Sequence, residues 1–144
     1  MPQSFTSLHY HLVFSTKQRQ PLLDAVWRPR LFEYIGGTLR TRGGILLSAG
    51  GMADHVHFLA AIAKDRSIVE TLRDVKANSS RWIHETFADR QGFAWQAGYG
   101  AFAVSYSALG AVQKYLDTQE EHHRTRSFQD EFRELLRPTS SGVG

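Results

Sequence analysis

The chain has 144 residues, 42% of them hydrophobic, which is enough for one compact core, and no composition shift divides it into two domains. Lys plus Arg exceed Asp plus Glu by 17 to 14, giving a net charge of +3 and a sequence pI near 9.4, a mildly basic balance that suits a polyanionic partner without requiring one. The absence of cysteine excludes disulfides, thiolate nucleophiles and Cys-type zinc sites, and without a signal pattern or an apolar run of ~18 residues the expectation is a cytoplasmic protein that engages no membrane.

Leu8 to Thr16 is rich in β-branched and aromatic residues and predicts a strand in an inner position of the sheet, ending at the polar loop from Lys17 to Pro21. From Ala25 to Arg42, Val26, Leu31, Ile35 and Leu39 recur at helical spacing, with Pro29 suited to the first turn. Gly43-Gly44 closes this helix. Two apolar runs, Ile45 to Ala49 and His55 to Ile62, predict paired strands, with Gly50 to Asp54 read as the hairpin between them. Ser67, three residues before Glu70, forms a capping-box pattern for a second helix whose buried side holds Ile68, Val69, Leu72, Val75 and Ile83.

A glycine- and aromatic-rich loop from Phe87 to Gly100 follows, then a last strand from Ala101 to Tyr106. Ser107 is read as the cap of a helix running to Arg124, with Leu109, Val112 and Leu116 as its apolar stripe. A further helix is expected over Ser127 to Arg137, and residues 138–144 are a disordered tail by composition. The order strand, helix, strand, strand, helix, strand predicts an α+β fold, a ferredoxin-like antiparallel sheet with helices packed mainly on one face.

Within this frame Asp54-His55-Val56-His57-Phe58-Leu59 carries two histidines one residue apart, so both imidazoles leave the same face of a strand. Tyr115 and Gln119 share one face of a helix at i,i+4. Two neutral imidazoles and an amide oxygen would make a mixed N/O site for a divalent cation such as Mg²⁺ or Mn²⁺, whose charge would stay available to act on a phosphate oxygen. A tyrosine beside such a cation can serve as a nucleophile. His9 and His11 form a second histidine pair and are read as strand residues. Lys17, Arg73, Lys76, Arg81 and Arg124 are candidate DNA contacts, with Trp82 among the basic residues of the second helix as a possible base-stacking group. A solvated helix face accounts for those charges equally well.

The runs His11-Leu12-Val13-Phe14-Ser15-Thr16-Lys17, Asp54 to Leu59, Trp95-Gln96-x-Gly98-Tyr99, and Tyr115-Leu116-x-x-Gln119 followed by His122-His123 resemble the IS200/IS605-type single-tyrosine transposases of the HUH endonuclease group. The resemblance covers residues 5–136, with the motifs in the right order. It implies one HUH domain over residues 1–137 with an RRM-like sheet, and a homodimer whose tyrosine helix acts in trans. It also implies His55, His57 and Gln119 as ligands of Mg²⁺ or Mn²⁺, and Tyr115 as the catalytic nucleophile forming a 5′-phosphotyrosine on single-stranded DNA hairpins. The function it implies is a transposase that cuts and rejoins single-stranded DNA at the ends of its element. Three alternatives stay open: a domesticated relative cutting genomic hairpin repeats, a non-catalytic RRM-like nucleic-acid-binding module, and a metal hydrolase using water.

Overall fold

The computed structural model describes residues 8–117, so Gln119, His122, His123, Arg124, the expected helix over 127–137 and the tail lie outside the described residues. Strand β1 (His9–Ser15), helix α1 (Arg28–Thr41), strands β2 (Ile45–Met52) and β3 (His55–Ala61), helix α2 (Ile68–Thr86), strand β4 (Gly100–Val104) and helix α3 (Leu109–Asp117) follow in chain order. The sheet order is β2-β3-β1-β4, with every neighbouring pair antiparallel, the expected ferredoxin-like α+β arrangement. Both β1 and β3 are inner strands, as their apolar runs predict.

Alternation along the strands gives the sheet two different faces. Leu12 and Phe14 from β1 and Val56, Phe58 and Ala60 from β3 point into the main core, where they meet Leu31, Ile35 and Leu39 of α1 and Leu72, Val75 and Ile83 of α2. Helix α2 is capped by Ser67, whose hydroxyl accepts from the Glu70 amide at 3.0 Å, and it buries Thr71, Val75, Ser79 and Ile83 at steps of four. Arg42 at the end of α1 pairs with Asp74 of α2 at 2.8 Å. On the opposite face a smaller cluster of Leu59, Val104 and Leu116 seats α3, with Leu109 and Val112 packed against it. Two of the three described helices therefore share one face, and the helix bearing Tyr115 covers the other.

Several local expectations are corrected. Gly50 and Gly51 belong to β2, opposite His57 and Val56, and the turn is only Ala53-Asp54. A Cβ on Gly51 would sit 2.5 Å from the His55 carbonyl oxygen, so this glycine serves close strand approach and not a bend. Val26 is exposed because α1 begins at Arg28, with Pro29 in its first turn. Val69 also faces solvent. Strand β4 stops at Val104, and Tyr106–Ala108 forms a 3₁₀ turn in which Tyr106 is exposed, so Ser107 is not the cap of α3.

Candidate active site

The site begins with strand register. Val13 faces His57 and His11 faces Leu59 across β1 and β3, so His11 and His57 are diagonal neighbours on the same face. Their nitrogens meet: His11 Nε2 lies 2.8 Å from His57 Nδ1, with the rings stacked at 5.0 Å between centroids. His55 lies two residues before His57 on that face, its ring centroid 5.1 Å away. Both His55 and His57 are fully buried, and His11 is 3% exposed.

His55 is held at its back by Asp54, whose Oδ1 is 2.8 Å from Nδ1. The other carboxylate oxygen accepts from Arg19 Nη2 at 3.3 Å. The hydrogen bond from His55, aided by the nearby Arg19 guanidinium and opposed by burial, holds the Asp54 carboxyl below the usual carboxylate range. Arg19 reaches this position from a turn in which Gln18 and Arg19 both adopt positive φ, at 57° and 55°, a left-handed conformation that is costly for side chains with a Cβ. Asp54 engages Nδ1 of His55, as in carboxylate-histidine-metal sites, in which Nε2 is the ligating nitrogen.

Helix α3 brings Tyr115 to the same place. Leu116 is buried against Leu59 and Val104, and its neighbour Tyr115 points at the histidines, with ring centroids 6.2 Å from His57 and 6.3 Å from His11 of the same chain. The predicted nucleophile thus comes within ring-contact distance of the predicted histidine pair, about sixty residues away in the chain. Gln119, the predicted third ligand, lies outside the described residues, and among the described residues no group of three His, Asp or Glu side chains could hold a metal. Two imidazoles, each with Nδ1 engaged by an inner partner, are uncharged nitrogen donors when they ligate a divalent cation, and an amide oxygen beside them would add a harder donor.

The candidate DNA contacts divide. Lys17, Arg73 and Arg81 are exposed, whereas Arg124 is outside the described residues. Lys76 is half-buried and donates to the carbonyls of Gln96, at 2.8 Å, and Gly98. Trp82 is packed with Tyr34, Phe87 and Trp27, and the Arg30 guanidinium lies 5.7 Å from its ring centre, so it belongs to an aromatic cluster of the helical layer. An open groove of about 760 Å³, lined by Arg30, Tyr34, Arg40, Leu46 and Trp82 among others, lies at that layer, not at the histidines. Neither helical periodicity nor motif spacing singles out His11, Asp54 or Arg19. The one available signal is that Asp54 adjoins the histidine pair at a hairpin corner.

Fold and site together define a small α+β protein that sets a helical tyrosine against a buried pair of strand histidines. The chain belongs to the IS200-like transposases, whose family model matches residues 4–119. It is 24% identical over 119 residues to the ISDra2 transposase TnpA of Deinococcus radiodurans, covering 79% of this chain and 85% of that one. Among solved structures, a crystal structure of a transposase candidate from Deinococcus radiodurans R1 superposes with a TM-score of 0.67 at 24% identity, covering 83% of this chain and 98% of the other. A REP-associated tyrosine transposase bound to a REP hairpin superposes with a TM-score of 0.64 at 13% identity, covering 96% and 87%. These likenesses establish the fold. No helix among the described residues is long and apolar enough to cross a membrane.

Proposed function

We propose that the chain cuts and rejoins single-stranded DNA at hairpin-bearing element ends in the cytoplasm, through a 5′-phosphotyrosine on Tyr115. The observation that carries this reading is the Tyr115 ring held 6.2 Å from His57 on a helix seated by Leu116. In the reaction the phenol gives up its proton and its oxygen bonds to phosphorus. The bond from phosphorus to the 3′ oxygen breaks, and that oxygen takes up a proton as a 3′-hydroxyl. Attack on the phosphotyrosine by another 3′-hydroxyl reverses the exchange, so rejoining needs no ATP.

His55 and His57, through Nε2, and Gln119 are the residues that would hold Mg²⁺ or Mn²⁺. When bound, such an ion supplies positive charge that polarises a phosphate oxygen. Everything else belongs to the chain itself. Asp54 and His11 fix the two rings from behind, burial keeps water from them, and the docked helix fixes the phenol's approach. Lys17, Arg73, Arg81 and Arg124 are proposed phosphate contacts, while Lys76 acts by shaping the loop at Gln96 and Gly98. Family membership supports a homodimer in which the tyrosine helix of one subunit serves the histidine pair of the other.

A second reading keeps the chemistry and moves the target to hairpin repeats elsewhere in the genome; the fold's likeness to a transposase bound to a REP hairpin supports it. Both are tested by incubating the protein and Mg²⁺ or Mn²⁺ with single-stranded DNA from the flanks of the gene or from genomic hairpin repeats, then resolving adducts on a denaturing gel. Tyr115→Phe removes only the phenolic oxygen, so it abolishes the covalent adduct and retains DNA binding. A stable adduct formed by the Phe variant overturns the assignment of the nucleophile.

A further inference from the structure

We propose that His11 is a positioning residue that sets the tautomer of His57, and so decides which of its nitrogens can take a metal ion. This rests on the proposed role of His57 as a ligand. A hydrogen bond between two neutral imidazole nitrogens contains one proton, and the 2.8 Å contact between His11 Nε2 and His57 Nδ1 can be made in only two ways. If His57 donates, its Nδ1 carries the proton and its Nε2 carries the lone pair a metal needs. If His11 donates, the proton of neutral His57 sits on Nε2 and blocks that nitrogen. Ligation by Nε2 therefore requires His11 to accept, which makes His11 the tautomer protonated at Nδ1.

The surroundings favour this role over plain packing. His11 is on an inner strand, 3% exposed, its ring stacked on His57 and flanked by Phe102 at 6.1 Å and Tyr115 at 6.3 Å, so it has little freedom to turn away. It stands to His57 as Asp54 stands to His55: each ring has a partner at Nδ1, one a carboxylate and one a neutral imidazole. A neutral acceptor fixes direction without adding a second negative charge behind the site. The Tyr115 ring lies 6.3 Å from His11 and 6.2 Å from His57, so the same side chain that orients His57 limits how the Tyr115 ring can sit.

The test uses the full chain and Mn²⁺ as probe, with affinity read by electron paramagnetic resonance without DNA. His11→Leu keeps an apolar side chain on the strand but removes the acceptor, and is expected to weaken Mn²⁺ binding by roughly 10–100-fold, the range typical for loss of a partner behind a ligand. His11→Gln puts a carbonyl oxygen near the position of Nε2 and is expected to restore most of that affinity. In parallel, ¹⁵N-correlated NMR of the metal-free parent should show His57 protonated at Nδ1, a readout that survives even if the Leu variant does not fold. Parent-like Mn²⁺ affinity in a folded Leu variant, no recovery with Gln, or a His57 protonated at Nε2 overturns the inference. A parent that binds no Mn²⁺ instead overturns the metal reading itself, while the NMR measurement still tests the direction of the hydrogen bond.

Discussion

At Lys76 the fold turns a cation inward, onto backbone. Its ammonium donates to the carbonyls of Gln96 and Gly98 and lies over the rings of Phe14, at 5.3 Å, and Tyr99, at 5.9 Å. Trp95 on the same loop donates its indole N–H to Ser79 at 2.9 Å, and the loop backbone bonds the end of β1 through Ser15 and Lys17. Lys76→Met should cost about 1 kcal/mol at neutral pH in urea unfolding, the scale of lost charge-assisted bonds that remain partly hydrated. Burial lowers the lysine's pKa below its ordinary value. Between that lowered value and the ordinary one the unfolded chain binds more protons, so stability attributable to this group rises with pH. The parent's advantage over Lys76→Met should therefore widen as the pH rises toward the lysine range, and a constant difference would contradict the burial argument. None of this is legible in sequence, where Lys76 looks like one more cation on a helix face.

Among the elements, α3 is the one whose attachment and function coincide. The helical layer on the other face is secured by many large side chains, whereas α3 among the described residues fully buries only Leu116, with Leu109 and Val112 partly buried beside it, and its hydrogen bonds include Gln113 to the Leu47 carbonyl and Ser48 to Asp117. Leu116→Ala should weaken docking by about 2–3 kcal/mol and reduce adduct formation roughly 30-fold or more, while the far layer keeps its stability. Hydrogen exchange checks this: amides of α3 should exchange earlier in the variant, and those of α1 and α2 should not. Equal loss of protection everywhere would mean that α3 is part of one cooperative unit. The stripe Leu109, Val112 and Leu116 is readable from periodicity, as is the capping box of α2. The length of β2 is not, because glycine marks both a turn and a place where strands crowd, and only the 2.5 Å approach at Gly51 separates the two. His11 is missed for a related reason: sequence shows that it faces the same way as its neighbours two residues along, but not which strand lies beside it. Only the pairing of Val13 with His57 supplies that.

At the scale of the molecule the sheet is open among the described residues, with β2 and β4 as its edges. Ile45 and Leu47, 55% and 38% exposed, put apolar surface on the β2 edge, and the register shift between Leu46 and Ser48 interrupts that edge for a further strand. The proposed homodimer predicts a mass near twice 16.3 kDa by light scattering. A monomer at every concentration tested would remove action in trans from the proposed mechanism. The α+β class follows from the sequence of apolar runs and helical stripes, because each inner strand is buried along most of its length and each helix along one side.

The seat of Leu116 on Leu59 and Val104 has one more consequence. A helix docked on the sheet of a second copy would meet the same surface, so the docked contacts cancel between the two arrangements. What remains is the strain of the Ser105 to Ala108 connector set against the effective concentration of the neighbouring sheet. In the proposed homodimer, exchange of this helix would therefore leave its docked contacts the same in kind, and the reach of the Ser105 to Ala108 connector would decide whether a tyrosine, and any DNA joined to it, passes between the two histidine pairs.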